Sequence, residues 1–278
     1  MLLPFLMSSA ALTRLGADVR EMLHEQLEFR ELLLSIVRRD LLIRYKQTIM
    51  GFGWAIFMPV LNTVIFSVIF TRVTRLDTGG IPYPIFAFTG LLPWNFFATS
   101  LRFSVASLTS NSALVTKVYF PRELFPLSAV LVSLIDFAVA FLVLVAMMVY
   151  YRTGISWTVL FLPVILLVQI AFTMGVGLLI SMANLFYRDV KYLFEVVITV
   201  WMFATSVVYP VHLVGGRLAK LLMLNPMTPI IDGYRSVLLR GTLPDPGPFA
   251  AAAVLSLVVL AIGWVVFHRM EFRFAEEI

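Results

Sequence analysis

An all-α polytopic membrane protein is the fold class that this sequence predicts, and three observations carry it. Of the 278 residues, 60% are hydrophobic and 13% charged, whereas a soluble domain is about half apolar and a quarter charged. The apolar residues come in long uncharged runs: Gln47 to Thr71, Thr78 to Leu101 and Thr153 to Tyr187 hold no Asp, Glu, Lys or Arg. Roughly 20 such residues in a helix cross the hydrocarbon core of a bilayer. Finally, a charged stretch with Arg38, Arg39, Asp40, Arg44 and Lys46 passes into the first of these runs within a few residues, which marks a membrane surface.

The elements follow in order. Residues 1–26 read as a flexible tail; the short apolar run there has no basic segment before it, unlike a signal peptide. Over residues 27–47 a helical period puts Glu28, Glu31, Ser35, Arg38, Arg39 and Lys46 on one arc. Phe29, Leu32, Leu33, Ile36, Val37 and Ile43 fall opposite, as in a helix lying in the interface. Asp40 and Arg44 interrupt the apolar arc and, four apart, are placed to pair along it. Residues 48–278 read as the transmembrane domain. Its first span is predicted over 52–70 and its second over 83–101, with Pro93 expected to kink or break it. The third span, 124–150, carries one acid, Asp136, a costly and often functional residue in such a place. The fourth, 157–186, contains Gly175 and Gly177, small enough for close helix approach. The fifth covers 192–209. Residues 211–248, interrupted by five prolines, suit two short helices, about 216–224 and 229–239. The sixth span covers 249–267.

Six spans place both termini on one side. Fourteen of the 21 Lys and Arg residues then share that side, which the positive-inside rule makes the cytoplasm. A net charge of +5 suits anionic headgroups. No basic run comes with a soluble domain to carry it, so nucleic acid is not an expected partner. Cysteine is absent, which excludes disulfides and thiolate chemistry. No Gly-rich loop with Lys-Ser/Thr is present to cradle a nucleotide phosphate. His24, His212 and His268 are far apart in sequence, and no metal cluster is legible from them. The chain carries no engine of its own, which points to a partner subunit or to passive or ion-coupled transport.

Six blocks in register, RDLLIRYKQTIMGFGWAIFMPVL, TGLLPWNFF, VTKVYFPRELFPLS, ANLFYRDVKYL, NPMTPIIDGYRSVLLRG and RMEFRFAEEI, resemble the ABC transmembrane type-2 permeases. More narrowly they look like the exporters of O-antigen or teichoic-acid chains. The resemblance implies a bacterial plasma-membrane permease, a homodimer working with two copies of a separate ATPase that binds ATP and Mg. It implies no catalytic residue and no cofactor in this chain. It implies a coupling helix at about 112–120, gate helices within 211–240, and a glycan on an undecaprenyl diphosphate carrier as substrate.

Candidate residues follow. Arg38, Arg39 and Arg44 serve either as ordinary positive-inside anchors or as receivers of the lipid diphosphate, which guanidinium groups suit. Thr116, Lys117, Val118, Tyr119, Phe120, Arg122 and Glu123 form either a solvated turn or an ATPase contact, an apolar aromatic anchor rimmed by charge. Arg188 and Asp189 belong to the same coupling side or hold the fourth and fifth spans together. Trp54, Phe57, Trp94, Phe97 and Trp201 are candidates to line a glycan passage, where flat rings let a sugar chain slide; packing or the interfacial aromatic belt is the other reading. A type-2 permease for another amphipathic substrate, such as a lipid, capsule glycan or drug, and an ion-coupled carrier acting alone, remain alternatives.

Overall fold

The computed structural model describes residues 28–46, 48–51, 53–70, 78–117, 120–210, 214–216, 222–271 and 274, the side chains of Thr116 and Lys117 excepted. All regular structure among them is helical. Helix α1 spans Arg30–Tyr45, α2 Gly53–Val68, α3 Tyr83–Ser107, α4 Ser112–Lys117, α5 Leu124–Tyr150, α6 Leu162–Phe186, α7 Val190–Phe203, α8 Met227–Arg235 and α9 Pro246–Met270. A 3₁₀ turn, Trp157–Phe161, leads into α6, and a π-helical turn, Ser236–Arg240, extends α8.

Among the described residues, three helical stretches are long and apolar enough to cross a membrane: Leu124–Tyr150, Trp157–Phe186 and Pro246–Met270. Their outward residues, such as Leu142, Val149, Leu167 and Leu257, are exposed hydrophobics, the surface lipid requires. Helix α2 is apolar but shorter, 16 residues. Helix α3 is long but more polar, and it is the centre of the bundle. It is buried over most of its length, from Tyr83 to Ser107 with Arg102, Phe103 and Ala106 exposed, against α2, α5, α6, α7 and α8. A helix enclosed by other helices need not be apolar enough for lipid. It runs through Pro93 without a break; Gln169 on α6 donates to the Pro93 carbonyl at 2.7 Å.

Helices α6 and α9 pack extensively and closely. A Cβ at Gly263 would lie 2.6 Å from the Gly175 carbonyl oxygen, and one at Gly175 would lie 2.6 Å from the backbone of Leu260. The two backbones touch, as small residues in a span permit. Gly177 faces α3 instead, where its Cβ would stand 3.1 Å from Ser104 Oγ.

Helix α1 packs on α5. Ile36 and Val37 are buried, and Phe29 and Leu33 pack against the same cluster, which includes Leu108, Val115, Leu124 and Phe125. Leu34, Leu42 and Ile43 remain exposed. The apolar residues therefore serve two faces, one against the protein and one outward, rather than the single arc the periodicity suggests.

Candidate functional site

Helix α1 carries its charges into a groove between α2, α3 and α5. Arg44 is paired with Asp136 of α5, and Tyr45 Oη donates to the other carboxylate oxygen of Asp136 at 2.6 Å. The Arg44 guanidinium also lies 3.7 Å over the Phe103 ring, a cation–π contact. Asp40 does not pair with Arg44. It accepts from Arg39 Nη2 at 2.8 Å and from Ser128 Oγ of α5 at 3.2 Å. The neighbour one residue away and a hydroxyl across the groove take the acid, which frees Arg44 to reach the second helix.

The Arg44–Asp136 pair lies on the wall of a cavity of about 510 Å³. Trp54, Asn62, Asn95, Thr99 and Arg102 also line it, so amide, hydroxyl, guanidinium and aromatic groups converge in one place, as binding cavities require. A second cavity of about 360 Å³ shares Arg44 and Phe103 with it and adds Arg39, Asp40, Ser107, Ser110 and Asn111. A third hollow, along the outer side of α1, is lined by Ser35, Arg38, Arg39 and Lys46. Arg38, Arg39 and Arg44 thus border one continuous tract of α1, with Arg38 exposed and Arg44 deepest.

The aromatic candidates divide. Trp54 and Phe57 are exposed on α2 and touch edge to face, 5.7 Å between centroids. Trp94 and Phe97 are 3% and 0% exposed, because α3 is enclosed. Phe97 stacks on Phe172 at 5.5 Å and meets Trp201 edge-on at 5.1 Å. Trp201 is half-buried and its indole N–H donates to Asn225 Oδ1 at 3.1 Å. Within one chain, Trp94, Phe97 and Trp201 pack against neighbouring side chains, and Trp54 alone of the five borders the cavity beside Arg44 and Asp136.

A buried cation that sequence reasoning passed over stands beyond this core. Arg235, at the end of α8, is 1% exposed. It donates to the carbonyls of Ser206 and Val207 and lies 3.8 Å over Phe86. Gly90 makes the room, since a Cβ there would collide with the Val207 carbonyl and the guanidinium. Beside it Tyr234 Oη donates to Gln169 Oε1 at 2.8 Å. Two consecutive residues of α8 are thereby bound to the segment after α7 and to α6. The only signal was an Arg-Tyr pair in a segment otherwise moderately apolar.

Residues 31–239 match the family described as ABC-2 type transporter. The chain belongs to that family. It is 33% identical to an O-antigen export system permease protein, RfbA, of Myxococcus xanthus, over 92% of this chain and 99% of that protein. A protein of the same name from Klebsiella pneumoniae is 31% identical over 88% of this chain and 94% of its own length. The polysialic acid transport protein KpsM of Escherichia coli is 23% identical over 85% of this chain and 92% of its own. Of these relatives the O-antigen export permeases are the more similar and are matched over more of their length than KpsM, in keeping with the resemblance of the six blocks.

In this permease the segment between α3 and α5 turns twice, through a 3₁₀ turn, Thr109–Asn111, and the six-residue α4. Val118, Tyr119 and the side chains of Thr116 and Lys117 lie outside the described residues. Phe120 is buried edge-on against Phe125 at 5.5 Å. Arg122 donates to the Val115 carbonyl and, at 2.8 Å, to the Glu271 carbonyl. Glu123 is buried, 3.3 Å from His268 Nδ1. Arg122 and Glu123 therefore bind this segment to the end of α9. Burial, and Glu123 beside it, push the Glu271 carboxyl up to about 7. Arg188 and Asp189 are exposed, and no ion pair joins either to a described residue.

Proposed function

We propose that this permease is the membrane-spanning subunit of an ATP-driven exporter that moves a lipid-linked polysaccharide, O-antigen-like or teichoic acid, from the cytoplasmic side across the plasma membrane. The near-full-length likeness to O-antigen export permeases carries this reading. In it the chain crosses the membrane six times with both termini in the cytoplasm, residues 1–26 form a tail and 27–47 the interface helix. Two copies form the passage, and two copies of a separate ATPase, which bind ATP and Mg, drive it. The exposed apolar face of α2, with Trp54, Phe57, Leu61 and Val64, is the surface offered to the second copy or to the glycan.

The residues take roles on that reading. Arg38 and Arg39 meet the anionic lipid diphosphate at the bilayer surface, and Arg44 holds the inner end of the tract, oriented by Asp136. Lys117, Tyr119 and Phe120, with Thr116 and Val118, form the contact that the ATPase pushes, and Arg188 and Asp189 flank it. Arg122 and Glu123 transmit the push to α5 and α9, supported by their contacts with the Val115 and Glu271 carbonyls and with His268. Helix α8, fastened through Tyr234 and Arg235, and the residues around 216–224 act as gate helices on the outer side. Weak, flat contacts at Trp54 and Phe57 let a long glycan slide, since tight binding would stall it.

A strain lacking this permease is expected to accumulate long lipid-linked glycan inside the cell, with none delivered outside. Normal surface glycan in that strain would overturn the reading.

A further inference from the structure

The fold assembles a cluster whose contacts the transport reading uses only as a mechanical link between α5 and α9. Glu123 sits in the turn before α5; His268 and Glu271 stand one turn apart at the end of α9. The separation of 145 residues between Glu123 and His268 hid it from the sequence. His268 Nδ1 lies 3.3 Å from Glu123 Oε1 and 3.9 Å from Glu271 Oε1. One donor atom from each of the three side chains lies within 4.8 Å of the others.

Two observations point beyond a local ion pair. Glu123 is 3% exposed, and its second oxygen, Oε2, is buried without a hydrogen-bond partner; so is Glu271 Oε2. The surroundings are apolar, with Phe120, Phe125, Phe267 and Phe274 in the same buried cluster. Two carboxylates side by side in such a place repel each other, and each unpartnered oxygen bears a desolvation cost. Arg122 acts on them only through space, because its described N–H contacts go to the carbonyls of Val115 and Glu271 rather than to either carboxylate.

We propose that Glu123, His268 and Glu271 bind one divalent metal ion of the zinc class. A 2+ charge cancels both carboxylates and so relieves the buried charge that each carries with one oxygen unpartnered. One imidazole nitrogen with two carboxylate oxygens suits zinc or manganese, whereas calcium and magnesium prefer oxygen donors alone. Zinc holds such donors at about 2.0–2.2 Å, so the three close in by side-chain rotation, and water reaches the fourth position past the partly exposed His268. The His-x-x-Glu spacing keeps both α9 donors on one helix face. The bound ion staples the end of α9 to the turn before α5, and this holds whatever the permease exports.

The test uses the full-length permease in detergent, stripped with chelator and dialysed against buffered zinc. The bound metal is counted by mass spectrometry, and cobalt serves as a spectroscopic probe. One ion per chain is expected for wild type, with tetrahedral cobalt bands and a zinc-dependent rise in melting temperature. Glu123→Gln, which keeps the shape, should weaken binding by roughly tenfold or more and abolish the thermal response; His268→Ala should do the same. Glu271→Gln carries the comparison if Glu123→Gln does not purify as a monodisperse species. Zinc uptake that is equal in wild type and the carboxamide variant, or absent from both, overturns the site and leaves a shared proton in its place.

Discussion

Asp136 is the acid that a membrane span should not contain, and its partners explain its presence. Arg44 and Tyr45 reach it from α1, so a helix outside the span neutralises a charge inside it. Arg44→Ala leaves the half-buried carboxylate with Tyr45 alone, and a loss of about 1–3 kcal/mol is expected in detergent unfolding, below the range for a fully buried pair. The double variant Arg44→Met with Asp136→Leu should recover most of that stability while still failing to bind lipid diphosphate. Recovery of both stability and binding would show the pair to be structural only. Gly90 makes the second residue-scale prediction. Gly90→Ala drives a methyl into the Val207 carbonyl and the Arg235 guanidinium. A loss of about 1–3 kcal/mol is expected, the range for overpacking, read as a lower melting temperature; an unchanged one would refute the lock around Arg235.

At the scale of elements, α6 and α9 meet where Gly175 and Gly263 let backbone touch backbone. Gly263→Val should separate them, costing about 1–3 kcal/mol or more and exposing a cysteine placed at position 260 to thiol labelling. Labelling no faster than in the parent would contradict the packing. The long helices were legible because hydropathy and length act locally: 124–150 and 157–186 match the observed limits, and Gly175 announced close approach. Helix α7 ends at Phe203, six residues short of its predicted limit, because Thr205, Ser206 and their neighbours turn towards Asn225 and Arg235. Residues such as Arg44, Asp136, Glu123 and His268 were visible one by one, but their pairings were not. Each pairing joins positions about ninety or more apart in the chain, and no periodicity encodes such a separation. Asp40 illustrates this: helical spacing favoured Arg44, whereas the adjacent Arg39 and, across the fold, Ser128 take the acid instead.

The whole molecule presents a charged tract along α1, a polar cavity behind it and a central helix sheathed by apolar ones. A basic surface that narrows to one half-buried ion pair is suited to an amphipathic anion that arrives along the membrane plane. The segment between α3 and α5 is bound to both α1 and α9 through one buried cluster, so force applied there is carried into three helices together. That layout needs a separate engine, and the central claim is that ATP hydrolysis in a partner drives passage of a lipid-linked glycan through this chain. The most direct measurement is translocation of a fluorescent undecaprenyl-diphosphate glycan in proteoliposomes, with the permease alone, with the ATPase alone and with both. Export that requires both proteins and ATP is the expected result; export by the permease alone, or none by the complete pair, would contradict it.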